Sequence, residues 1–276
     1  MSNARNLADL LGTSTKSNQV ISTSGAVTTT GAFTSVGIDD NADATTMTID
    51  TSENVGIGNT SPSSQYMTRL VVGDGSGTEG ITIYSGNDSS GRLEFSDATS
   101  GDGRYAGGVV YEHNNNKLRF NTNGGNERMA IDSNGYVTKS QQVYVQAKGN
   151  GTRHNQTSAN TEQSLDFTEV TDNTNSFNTS GGIFTAPVAG RYFIHYYASM
   201  KSNTSYIQLY VKHNSTIVAT DYNELPNAPA DWAAHQVTII LNMSASDTVQ
   251  PFMVSGGTNA YALENYYRGC SIYLLG

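Results

Sequence analysis

The sequence predicts an all-β protein, and three observations predict it. Apolar residues recur at every second position in short runs, as over residues 206–212 and 237–241, which is the period of a half-buried strand. Clusters of Asn, Gly, Ser and Asp that favour turns separate the runs. The composition also discourages long helices: there are 28 glycines, Thr, Ser and Asn abound, and charged residues make up only 14%, against about a quarter in an average domain. At 276 residues there is room for one large or two ordinary domains.

Residues 182–198, GIFTAPVAGRYFIHYYA, organise the rest. They read as two short strands joined by a tight corner at Pro187 and Gly190, because Pro lacks the donor a central ladder needs. In the second strand Tyr192, Ile194 and Tyr196 point one way, and Phe193 and Tyr197 the other. A half-buried strand needs one apolar face. This one has two, so one face is expected in a sandwich core and the other against a further partner, such as another copy of the chain.

Net charge is −9 and the isoelectric point is near 4.9. That balance argues against nucleic-acid backbones and anionic membranes as partners. The single cysteine, Cys270, excludes an internal disulfide framework. The N-terminal segment has no apolar run long enough for a signal peptide or a span, so synthesis in a reducing cytoplasm without membrane insertion is expected.

Along the chain, residues 2–11 are the one convincing helix. Asn3 caps it, Ala4, Leu7, Ala8 and Leu11 share a face, and Gly12 stops it. Ten residues do not hold a helix alone in water. The segment either anchors the chain in a larger assembly, through Leu7, Leu10 and Leu11, or packs on its own domain. Residues 13–50 carry sparse hydrophobes, with Gly-Ala-Val and Gly-Ala-Phe at 25–27 and 31–33. They cannot offset ordering costs of about 1–2 kcal/mol per residue unaided. They stay disordered, or copies wind together. Short strands follow over 47–138, including Leu93-Glu94-Phe95, Val109-Val110-Tyr111, Leu118-Arg119-Phe120 and Met129-Ala130-Ile131, with turns at 114–116 and 132–135.

Two stretches here carry a resemblance. Asn54-Val55-Gly56-Ile57-Gly58-Asn59-Thr60-Ser61-Pro62 resembles the NVGIGTTSP element of bacteriophage tail fibres and tailspikes. Leu118-Arg119-Phe120 followed by residues 127–135, ERMAIDSNG, resembles a second element of the same shafts. The resemblance implies a trimeric, β-rich shaft.

Residues 141–276 form a further unit of regularly spaced strands, expected to be a two-sheet sandwich. Ile207, Leu209 and Val211 point inward and Tyr206, Gln208, Tyr210 and Lys212 outward; Val237, Ile239 and Leu241 make another inward set. Gly182, Phe184, Ala186, Pro187, Gly190, Tyr192 and Ile194 fit the pattern G-x-F-x-A-P-x-x-G-x-Y-x-F/I. With the closing run 267–275 and the run 237–249, where Ser246 stands at a usual glycine, the unit resembles the jelly-roll head of complement component 1q and the tumour necrosis factor superfamily. The resemblance implies a tight homotrimer with an aromatic-rich interface, for which Tyr192, Phe193, Tyr197 and Tyr273 are the candidates.

No catalytic signature is present. The five histidines lack metal-binding spacing, and His195 reads as a satisfied core or interface residue. Asp39, Asp40, Asn41 and Asp43 lack the Gly and distal Glu of a calcium loop; no metal or cofactor is expected. Cys270 falls at a buried strand position. A pair of glycosidase carboxylates separated in sequence stays open as a minority reading. Recognition by contact fits better. The loop 221–234 holds the single tryptophan, Trp232, with Tyr222, Asp221, Glu224 and Asp231 near it, and an aromatic plate beside carboxylates suits a sugar. Alternatively Trp232 plugs an end of the sandwich.

Taken together, the expectation is an all-β chain with a short N-terminal helix: a virion anchor at 1–24, a β-rich trimeric shaft at 25–140, and a jelly-roll receptor-binding head at 141–276. It would be a homotrimeric phage tail fibre that attaches to a host surface glycan or protein and joins other virion proteins through its N-terminus. The alternatives are a spike that hydrolyses host polysaccharide, or a decoration fibre without a host ligand.

Overall fold

The structure is a computed structural model that describes residues 47–202, 206–224, 231–258 and 260–276, without the side chains of Ser202 and Asp231. The expected helix at 2–11 with Leu7, Leu10 and Leu11, the Gly-Ala repeats and the acidic stretch 39–43 lie outside the described residues. The chain forms two compact units, one reaching to Ile83 and one from Tyr84 onward. Among the described residues no helix is long and apolar enough to cross a membrane.

The first unit contains β1 (Met47–Ile49), β2 (Val55–Ile57) and β3 (Leu70–Val72). β1 and β2 pair antiparallel, and β2 and β3 parallel. The Asn54-Val55-Gly56-Ile57 motif is a turn and strand held by Asp50. The Asp50 carboxylate accepts from the Asn54 backbone N–H and side-chain amide, each at 3.0 Å, and from the Ser52 N–H at 2.9 Å. Asn54 is buried by this arrangement, so its polar atoms need those partners.

The second unit opens with an antiparallel meander of β4 (Ser90–Phe95), β5 (Gly107–Glu112), β6 (Lys117–Thr122), β7 (Asn126–Ile131) and β8 (Val137–Thr138). The β5–β6 hairpin turns through Asn114–Asn116 as expected, with Asn116 at φ 47°. The side chains alternate, with one irregularity in β7 between Glu127 and Met129. One face carries Arg92, Glu94, Glu112, Lys117, Arg119 and Glu127, joined as Arg92–Glu94, Arg119–Glu112 at 3.0 Å and Lys117–Glu127 at 2.7 Å. Val110 and Ala130 lie buried on this charged face, in register with Arg119. The long polar stems cover them. On the opposite face the register aligns Leu93 with Val109, Val109 with Phe120, and Phe120 with Met129.

The sandwich follows as β9 (Tyr144–Gly149), β10 (His154–Asn155), β11 (Gln163–Ser164), β12 (Phe167–Asp172), β13 (Phe177–Asn178), β14 (Ile183–Thr185), β15 (Gly190–Ser202), β16 (Tyr206–His213), β17 (Thr216–Glu224), β18 (Asp231–Met243), β19 (Thr248–Ser255), β20 (Tyr261–Ala262) and β21 (Arg268–Leu274). One sheet runs β10-β20-β15-β21-β9-β12, with β18 along the other edge of β15; the second runs β13-β14-β19-β16-β17, with β11 on β19. A single core between them includes Phe184, Tyr192, Ile194, Tyr196, Leu209 and Ile272. The sequence expected 182–198 to be two short strands at one corner. In fact β14 and β15 belong to different sheets, and β15 runs for 13 residues. The Pro187 corner therefore carries the chain across the core.

The corner has its own chemistry. Tyr192 donates its phenol to the Val188 carbonyl at 2.7 Å, and Tyr196 donates to the Gly182 carbonyl at 2.9 Å. Gly182 sits at φ 63°, and a Cβ there would collide with the Phe167 ring, so only glycine fits. Ser246, in place of the usual glycine, takes φ 73°, a region unfavourable to L residues.

Two sequence expectations need correction, and a third residue needs a qualification. Tyr192 is not at an interface: it is fully buried in the protomer's own core, because β15 turns its even-numbered side chains inward. Tyr210 faces outward as expected, yet it is only 2% exposed. It stacks on Phe252 at 5.6 Å beneath Lys212, whose ammonium lies 4.8 Å from the Phe252 ring centroid. The run 221–234 is not a loop throughout. Asp221–Glu224 ends β17 and Asp231–Ala234 begins β18.

Candidate functional site

The outward face of the β15 sheet gathers the candidate residues. Odd-numbered side chains of β15 point away from the core, and Phe193, His195 and Tyr197 are half-buried. Phe193 stacks on its cross-strand partner Tyr273 with ring centroids 4.7 Å apart. His195 stacks between Phe193 at 6.5 Å and Tyr197 at 5.7 Å. Its Nδ1 lies 2.8 Å from Thr238 Oγ1, and burial pushes its pKa down. Gly269, opposite Tyr197, leaves the phenol room: a Cβ there would come within 2.7 Å of Tyr197 Oη. The result is an unbroken aromatic stripe with water on one side, which is costly for a free surface.

Trp232 lies on the same face at the far end of β15. Lys201 continues the odd-numbered series and pairs in register with both Trp232 and Tyr261. At about 3.3 Å per residue, it is roughly 25 Å along the strand from Phe193. Trp232 is 47% exposed, so it does not plug the sandwich. Its ring meets Tyr261 edge-on at 5.7 Å, and the Lys201 ammonium stands 4.9 Å above it. Arg153 lies 4.7 Å over the Tyr261 ring and 3.3 Å from Glu264. Arg153, Tyr261 and Glu264 escaped the sequence reading because they come from other parts of the chain; only the β20–β15–β18 register unites them with Trp232.

The other sugar-site candidates are placed elsewhere. Tyr222 stacks on Tyr206 at 5.5 Å, on strands of the second sheet. Asp221 reaches from β17 to the edge of β18, where its Oδ2 accepts from the Gln236 N–H at 2.9 Å and lies 3.5 Å from His235 Nδ1. It thereby satisfies an edge-strand donor. Glu224 is exposed at the end of β17, and the side chain of Asp231 lies outside the described residues. Beside Asp221, a pocket of about 340 Å³ is lined by His195, Tyr197, His235 and Gln236, among others. Burial lowers the pKa of His235, and Asp221 partly opposes that shift.

Two further groups are internal. Cys270 is buried, and burial pushes its thiol well up, leaving it unreactive. Arg268 is 0% exposed. Its guanidinium donates to the carbonyls of Asp166 at 2.9 Å, Thr152 at 3.1 Å and Leu263 at 2.7 Å, and to Asn150 Oδ1 at 2.7 Å. It pins three loops at one end of the sandwich. Among the described residues no cluster of three His, Cys, Asp or Glu side chains is placed to hold a metal.

No curated protein matches the sequence. Among solved structures, the globular domain of zebrafish complement 1qA is 18% identical, over 49% of this chain and 98% of that one, with a TM-score of 0.36. Eiger TNF from S. frugiperda is 10% identical, over 49% of this chain and 93% of that one, with a TM-score of 0.40. The family model of the C1q domain matches residues 150–261. Domains of this type commonly form trimers and bind ligands. The two sheets over residues 144–274, which contain the matched run, form a jelly roll of the C1q type.

Proposed function

We propose that this chain is a homotrimeric phage tail fibre that attaches a virion to a host cell-surface glycan. The division is that of the sequence: an anchor at 1–24 for other virion proteins, a trimeric shaft at 25–140, and a receptor-binding head at 141–276. The observation that carries the reading is the outward face of the β15 sheet, which has a water-facing aromatic stripe at one end and the Trp232 cluster at the other. The stripe supports self-association through Phe193, Tyr197 and Tyr273. The Trp232 and Tyr261 rings, with Lys201 and Arg153 beside them, offer a sugar an apolar plate and hydrogen-bond donors. The NVGIG and ERMAIDSNG stretches support the fibre shaft.

Attachment then needs no chemical step. Linked weak sites gain an avidity factor on the order of 10² to 10⁴. The test is binding of the purified chain to host cells and a glycan array, with light scattering alongside. The expected result is a trimer whose binding falls at least tenfold with Trp232→Ala while its mass is unchanged. A monomer, or binding indifferent to Trp232→Ala and Tyr261→Ala, overturns the reading. Release of reducing sugar from host polysaccharide would replace it with a hydrolytic spike.

A further inference from the structure

Among the described residues, nothing forms a second layer on the apolar face of the β4–β8 meander. Leu93 is 54% exposed, Phe95 61%, Val137 57%, Tyr111 39% and Phe120 36%. The register places them on one continuous side of the sheet, bordered at the β7 bulge by Arg128, whose Nε donates to Thr122 Oγ1 at 3.1 Å. Together they present on the order of 500 Å² of apolar surface, which is at the upper end of what a free monomer shows to water. The reverse face pairs its own charges, so it is already suited to solvent.

We propose that this apolar face packs against the same face of the other copies of the chain, forming a dry core shared between meanders with the ion-paired faces outward. Three considerations select a second copy over a foreign partner. A patch built from Leu93, Phe95, Tyr111, Phe120 and Val137 resembles a core cut in half, as in obligate homomers, more than the mixed polarity of transient interfaces. The patch falls short of the roughly 800 Å² per partner that a stable interface needs, so it cannot recruit a partner from dilute solution. The same compact unit carries a domain of a type that commonly trimerises. Once heads are joined, the meanders sit at an effective concentration in the millimolar range, and a small patch suffices. The inference rests on self-association of the head, not on host attachment.

Single cysteines test it in the full chain, since Cys270 is buried and unreactive. Phe120→Cys and Leu93→Cys sample the apolar face, and Arg92→Cys the charged face. Each is treated with a short bismaleimide, with the unsubstituted chain as control, light scattering for mass and circular dichroism for folding. The expected result is covalent linkage between copies at Phe120→Cys or Leu93→Cys, at least tenfold above Arg92→Cys. Equal linkage from both faces overturns the inference. So does an absence of linkage from folded apolar-face variants that are still trimeric, which leaves the head reading standing. A monomeric mass removes both.

Discussion

The five-stranded meander and the jelly roll are built from similar strands, yet only one of them closes a core. In the jelly roll every inward residue of β15 meets the opposing sheet, and Tyr192, Ile194 and Tyr196 are completely dry. In the meander the residues of equal apolarity, Leu93 and Phe95, remain more than half exposed. Among the described residues nothing is laid across the meander, although its strands are sound. A sheet has two faces, and one chain must fold back over itself to cover either. The sandwich does so through the Pro187 corner. The meander shields one face with ion pairs and long stems, and leaves the other open. The difference teaches that stability here is local to the sandwich and collective in the meander.

The largest test of that contrast compares two phenylalanines. Phe184→Ala should cost about 3–5 kcal/mol, since it opens a cavity in a closed core. Phe95→Ala in dilute, dissociated protein should cost under about 1 kcal/mol. Denaturant titration at two protein concentrations reads both, and equal losses at Phe184 and Phe95 in the dissociated chain would break the comparison.

Arg268→Ala should follow at about 3 kcal/mol, because it removes the guanidinium that bonds the carbonyls of Asp166, Thr152 and Leu263. Arg268→Lys should rescue little, since one ammonium cannot serve groups spread around a planar fork. Full rescue by lysine in thermal unfolding would show that charge alone matters there.

A pH scan sharpens the contrast further. Burial holds the pKa of His235, His154 and His195 below the ordinary histidine value. The folded sandwich therefore favours neutral rings. This contribution is intact above the unfolded pKa near 6.5 and is lost as pH falls below it, because the unfolded chain takes up protons that the fold resists. The sandwich should melt at lower temperature at pH 5 than at pH 7.5, and His235→Gln should flatten part of that slope. An unchanged slope would remove His235 from the account.

The smallest effect belongs to the charged face of the meander. Lys117→Ala removes its bond to Glu127 and should cost at most about 1 kcal/mol, less in high salt. A larger, salt-insensitive loss would mean that this face is buried in the assembly.

Much of the fold was legible because strand parity is a local property. The alternation at Ile207, Leu209 and Val211, the Asn-rich hairpin at 114–116 and the opposed faces of Tyr196 and Tyr197 all follow from side chains pointing alternately up and down. The candidate site was only half legible. Phe193, Tyr197 and Tyr273 could be assigned to an outer face from parity and the family pattern. Tyr192 could not be told from them without knowing which parity faced the second sheet. Trp232 stood out as the single tryptophan, but nearness in sequence grouped it with Asp221 and Tyr222, which the structure puts in other contacts.

The sequence by itself determined an all-β chain, its turns, and an aromatic strand with two apolar faces, since each depends on residues within a few positions of one another. The tertiary structure alone decided which of those faces is dry, that Arg268 bonds the carbonyls of Asp166 and Thr152 from more than a hundred residues away in sequence, and that Trp232 shares its surface with Tyr261 and Lys201. The reason is physical: burial and partnership depend on what the returning chain lays across a strand, and that is set by sheet order and register, which no local pattern encodes.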